Sequence, residues 1–92
     1  MDKLAAKLTE MGIQFEDRQI CFTTGRQIAV YEKGRKVWDA ICGPFSYGGQ
    51  CGLLEVTGVI VDGKRENGEA KGWQIADNVI QMVRDYKCNK SR

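Results

Sequence analysis

Asp39, set between Trp38 and Ala40, is the one carboxylate embedded in a strongly apolar stretch of this sequence, and it is the residue best placed to move a proton. Acid–base chemistry would have to rest on such a group, because the chain contains no histidine. That removes the usual general base, the usual metal ligand and every Ser-His or Cys-His nucleophile. The reading favoured over catalysis is that Asp39 is a strand carboxylate that hydrogen-bonds a neighbouring loop.

Four cysteines, at positions 21, 42, 51 and 88, are the other reactive candidates. None falls in the C-x-x-C spacing that turns two thiolates onto one metal, so no metal and no cofactor is expected. Cys42 and Cys51 flank a glycine-rich stretch and could close a bridge across it; in a reducing compartment both would instead behave as small apolar side chains.

That stretch, Gly43 to Gly52, is the best candidate for recognition. Phe45, Ser46, Tyr47, Gly48 and Gly49 lie within it, and its backbone N–H groups could converge on an anion if a helix begins there. Neither the Lys-Ser/Thr pair of nucleotide-phosphate loops nor a G-x-G-x-x-G follows it, so a tight turn needing glycine for geometry competes with the anion reading. Aromatics with a polar handle suit interfaces, which makes Tyr47 a recognition candidate, with Phe45 beside it and Trp73 beyond the loop. Trp38 is assigned to the core. Arg26, at the sheet end where the third strand delivers Cys42 to the glycine loop, completes the expected site as a contact for an acidic ligand.

The elements that would position these residues follow from periodicity. Leu4, Leu8 and Met11 repeat at helical spacing over residues 2–11, with Gly12 as terminator. From Ile13 to Cys42 the period becomes two, and QICFT, QIAVYE and KVWDAIC are separated by Thr24-Gly25-Arg26 and Lys33-Gly34-Arg35. Three-residue turns there would oppose Phe22 to Ile28 and Ile20 to Val30, then Val30 to Trp38, Ile28 to Ala40 and Glu32 to Lys36. On this register Asp39 points away from the core.

Residues 53–61 are read as the continuation of a helix starting near Ser46 or Tyr47, against the competing strand preference of Val56, Thr57 and Val59 to Val61. Residues 62–72 form a charged, glycine-bearing loop. Ile75, Val79, Met82, Val83 and Tyr86 then mark a last helix of about 12 residues, and the CNKSR tail is expected to fray. The expected fold is a single α+β domain over residues 1–92: a three-stranded antiparallel meander packed on two or three helices, in the order α-β-β-β-α-α.

Composition narrows the partners. The chain has 92 residues, 42 % hydrophobic and 28 % charged, and a formal charge of +2, well short of the basic excess that phosphate-backbone binding uses. Nucleic acid is therefore the rival, not the leading, partner. No apolar run approaches a membrane span or a signal peptide, which points to a cytoplasmic protein with no membrane association. An outer strand offers an edge for a homodimer.

The run Trp38-Asp39-Ala40-Ile41-Cys42, followed by Ser46-Tyr47-Gly48, Gly52-Leu53-Leu54-Glu55 and Gly72-Trp73, resembles small hypothetical proteins carried by phages and integrated elements of Gram-positive bacteria. The resemblance implies a non-enzymatic accessory protein that binds and inhibits a host defence component in the host cytoplasm. Its target would be a protein, as for anti-CRISPR inhibitors, or a nucleotide signal held in a pocket. It assigns no functional residues. The alternatives from the residues themselves are a basic nucleic-acid-binding accessory protein and a small enzyme acting on nucleotides through Asp39 or a loop cysteine.

Overall fold

A computed structural model describes residues 1–19, 25–43, 53–64 and 68–90. Helix α1 spans Asp2–Glu10, strand β1 Glu16–Gln19, β2 Arg26–Glu32, β3 Arg35–Cys42, β4 Leu54–Gly58, helix α2 Val59–Asp62, strand β5 Lys71–Gln74 and helix α3 Ala76–Lys90. The fold is α+β, as expected, but the sheet has five strands in the order β1-β2-β3-β4-β5, every neighbouring pair antiparallel. The three-strand expectation and its element order are corrected on both counts.

Helix α1 buries Leu4 and Leu8 and ends in a Schellman motif: Ile13 N–H donates to the Leu8 carbonyl, Gly12 N–H to that of Thr9, and Gly12 takes φ +74°. The hairpin between β2 and β3 turns on two residues, not three. Lys33 at φ 52° and Gly34 at φ 79° form a tight turn of the mirror-image kind whose twist matches the strands. Glu32 therefore faces Arg35, not Lys36.

Beyond the turn, Val37 is an extra residue in β3. Tyr31 pairs with Lys36 and Val30 with Trp38, so the ladder shifts by one between them. This bulge has two effects. Val37 and Trp38 both enter the core, 1 % and 3 % exposed, and from there the expected pairs Val30–Trp38 and Ile28–Ala40 are found.

The first hairpin differs from expectation. Asp17, not Phe22, lies opposite Ile28, and Glu16 lies opposite Ala29; Ile20 and Phe22 fall outside the described residues. Residues 54–58 are a strand, not helix: β4 alternates buried and half-buried positions and pairs Val56 with Ala40 and Thr57 with Asp39. The charged stretch 62–72 also contains structure. The Asp62 carboxylate accepts hydrogen bonds from the backbone N–H of Lys64 (3.1 Å) and of Glu69 (2.9 Å), and β5 begins at Lys71. Helix α3 runs through Lys90, so Cys88, Asn89 and Lys90 are helical and not a frayed tail.

One buried cluster joins all three helices to one face of the sheet. Leu4 and Leu8 of α1, Ile60 of α2, and Val79, Ile80 and Val83 of α3 pack with Ile28, Val30, Val37, Trp38, Ala40, Leu54 and Val56. The opposite face carries Glu16, Arg18, Gln27, Ala29, Tyr31, Lys36, Asp39, Ile41, Glu55 and Thr57, and no described helix contributes to it.

Candidate functional site

The polar sheet face is organised around Asp39. Strand β3 is central, so the residues on either side of Asp39 come from two other strands: Ala29 of β2 and Thr57 of β4 stand directly opposite it. Asp39 is 8 % exposed, the one buried charged residue among those described. A buried carboxylate is tolerated only when its lone pairs are engaged. Gln27 Nε2 donates to Oδ2 at 2.7 Å, Lys36 Nζ to Oδ2 at 3.3 Å, and the Thr57 hydroxyl to Oδ1.

The bulge makes the lysine contact geometrically possible. Residues three apart on a regular strand point to opposite faces, and the extra residue at Val37 returns Lys36 to the face of Asp39. Gln27, Lys36 and Thr57 were not singled out from the sequence. Thr57 is a partner only because residues 54–58 form a strand beside β3; Gln27, two residues before Ala29 on the same face, follows from the hairpin register alone.

At the rim of this face, Arg18 donates to the Tyr31 hydroxyl at 2.9 Å and pairs with Glu16. Tyr31 is 39 % exposed. An aromatic and an arginine in mutual contact, over a fixed polar layer, are residue types that carry binding energy at interfaces.

Arg26 does not serve the role expected of it. Its Nε and Nη2 hold the two Asp17 carboxylate oxygens at 2.8 and 2.5 Å, and Nη1 pairs with Asp2 of α1. The guanidinium ties the first helix to the first two strands and is not presented to an acidic ligand. These hydrogen bonds, reinforced by the positive charge of Arg26, hold the Asp17 and Asp2 carboxyls below their ordinary 3.8; at Asp62 the backbone N–H groups of Glu69 and Lys64 act in the same direction.

A carboxyl depressed in the folded state stabilises fully above its unfolded pKa and loses that contribution as pH falls below about 4. Arg26→Met should therefore melt a few degrees below the parent at neutral pH, solvent around both ion pairs keeping the effect small. The gap should narrow as pH falls below about 4; a gap that persists unchanged in melts taken from neutral pH down through that region would contradict the assignment.

Of the other expected site residues, Phe45, Ser46, Tyr47, Gly48 and Gly49 lie outside the described residues, as does Cys51, the expected partner of Cys42. Trp73 is described: it sits on the edge strand β5, 61 % exposed, and does not anchor α3 through burial. Its backbone is in the left-handed region at φ 59°. Asp39 and Trp73 are thus placed on two separate features, the polar face and the sheet edge.

Grooves on the helical side are lined by described residues of α1, α2 and α3. One, of about 400 Å3, runs between α2 and α3; another, of about 500 Å3, lies between α1 and α3 and carries the ion pairs Lys3–Asp77 and Lys7–Glu10 on its walls. No cluster of three or more metal-ligating side chains occurs among the described residues, and no helix is long and apolar enough to cross a membrane. Comparison with protein-family models, curated proteins and solved structures returns no match to this chain.

Proposed function

We propose that this protein is a non-enzymatic binding module that inhibits a host component by occupying it stoichiometrically, with the polar sheet face around Tyr31 and Arg18 as its contact surface. The observation that carries the reading is the condition of Asp39. It is buried and accepts hydrogen bonds from Gln27, Lys36 and Thr57. A carboxylate saturated by three donors is poorly placed to take a proton from a substrate. What it does supply is a fixed registry of β2, β3 and β4 beneath the exposed Tyr31, and a surface ordered before binding loses less entropy on association.

The cations near this face do not form a patch of one sign. Arg18 is paired with Glu16 and Lys36 with Asp39, an arrangement that favours a protein surface over a phosphate backbone. The setting of the activity, an accessory protein of a phage or integrated element acting on a defence component in the host cytoplasm, rests on the resemblance of the Trp38–Cys42 and following motifs.

The test is purification of the tagged protein from its host cells, with mass spectrometry of what accompanies it. One host protein in equimolar amount is expected with the parent and not with Tyr31→Ala, whose melting temperature should fall by only a few degrees. Turnover of a nucleotide by the purified protein, abolished in Asp39→Asn, would replace this reading with an enzymatic one.

A further inference from the structure

The exposed Trp73 lies beside a groove on its own molecule that could receive the same residue from another copy. We infer that two copies of this chain pair about a two-fold axis, each seating Trp73 in the other's groove between α2 and α3. This contact uses the β5 edge of the sheet and the α2–α3 groove, whereas Arg18 and Tyr31 lie on β1 and β2 towards the opposite edge. The binding reading above therefore stands or falls separately.

Three observations carry the inference. The first is exposure: Trp73 is 61 % and Ile75 50 % exposed, two apolar side chains two residues apart in sequence, one in the edge strand and one just beyond its end. Burial of an indole is among the largest apolar gains a single side chain provides.

The second is the backbone that presents it. Trp73 stands at φ 59°, where a bulky side chain is held only at a cost, and it falls at the irregular step of the ladder between the Val56–Lys71 and Leu54–Gln74 pairs. Irregular steps of this kind re-aim a side chain and interrupt strand pairing. The same feature that displays the indole also spoils β5 as an edge for strand addition, so the partner is expected to take the side chain and not the backbone.

The third is the receptor. The groove between α2 and α3 has a volume of about 400 Å3, more than an indole needs, and its walls include Val59, Val61, Met82 and Tyr86. Methionine adapts its shape to an inserted ring. Lys71 and Asp85 also line it, one cation and one anion, so a two-fold axis can bring each copy's cation to the other's anion.

Lys71 belongs to the groove and lies two residues from Trp73 on the same strand. Knob and hole are thus neighbours along β5, so one edge of the molecule carries both, as an isologous contact requires if a pair is to close without growing into a filament. Two tryptophans, two isoleucines and the groove surfaces they cover would bury roughly 1,000 Å2, at the small end of specific interfaces. The pair should therefore be weak and dependent on concentration.

Sedimentation equilibrium of the purified protein from low micromolar to near-millimolar concentration tests this, with tryptophan emission read on the same samples. A monomer–dimer equilibrium is expected, with a blue shift on association that Trp73→Ala abolishes. Trp73→Ala and the groove variant Val61→Glu should each weaken pairing at least about tenfold, with their melting temperatures recorded to confirm folding; Tyr86→Ala takes the place of Val61→Glu if that variant is unfolded. An equimolar mixture of the knob and groove variants should associate more strongly than either alone, because one intact tryptophan then meets one intact groove. A protein that stays monomeric, a dimer undisturbed by Trp73→Ala, or a mixture no stronger than its components would each overturn the inference.

Discussion

Gly58→Ala should be the most damaging single substitution outside the apolar core, lowering stability by about 3 kcal/mol or more and the melting temperature by on the order of 15 °C. Gly58 ends β4 and begins α2 without an intervening loop, at φ +113°, a conformation that side-chain-bearing residues rarely adopt. It is also paired with Trp38, so closely that a Cβ would stand 2.5 Å from the Trp38 Cα and against the Val37 carbonyl oxygen. Backbone strain and steric overlap therefore add. The overlap falls on the bulge that sends Val37 and Trp38 into the core together. Chemical denaturation of Gly58→Ala beside Gly63→Ala provides the measurement, because Gly63 shares the positive φ (77°) but has open space around it. The Gly63 variant should lose only about 1 kcal/mol; equal losses in the two would show that the close approach of β4 to β3 contributes nothing.

The second large effect is expected at Asp39. Asp39→Ala removes the carboxylate that the half-buried Gln27 amide and Thr57 hydroxyl both donate to, at a cost of roughly 2–4 kcal/mol. Lys36 should contribute little of this, since its side chain is 44 % exposed and can turn to solvent. Asp39→Asn keeps the shape and one carbonyl acceptor and should lose about half as much. Measured side by side, the two variants separate the hydrogen-bonding role from the charge. If Asp39→Ala proved as stable as the parent, the carboxylate would not be the organiser of this face and would be free for proton transfer.

The sequence revealed the parts of the fold whose side chains report their surroundings. The pairs Val30–Trp38 and Ile28–Ala40 were legible because both strands alternate, and the final helix because Val79, Met82, Val83 and Tyr86 recur at helical spacing. Strand β1 was not, for a physical reason: Glu16, Asp17, Arg18 and Gln19 are all exposed on an edge, so no alternation marks them, and the apolar residues that follow attracted the register instead. In β4 the run Leu53, Leu54, Val56, Val59, Ile60, Val61 is apolar almost throughout, because the chain passes straight from a buried strand into a buried helical turn at Gly58; one period cannot be read across two. Strand β5 is four residues long with a glycine and sits after a charged loop, too short to leave a pattern.

The site was legible to a similar depth. That Asp39 points away from the core followed from the strand register. Its partners did not, since Thr57 depended on a strand misread as helix and Lys36 on a bulge that no residue type announces. For Arg26 the position at the sheet end was legible and the role was not: the carboxylates that engage it come from Asp2 on the first helix and from Asp17 on the strand whose register was misjudged.

The packing of α1 on α3 imposes an order of events. Each strand pairs with the one made just before it, so the sheet can assemble progressively while the chain is being synthesised. The first helix cannot follow suit: Leu4 and Leu8 share their buried cluster with Val79 and Val83, and Lys3 pairs with Asp77. The burial of α1 is therefore completed only when α3, the last of the described elements, packs against it.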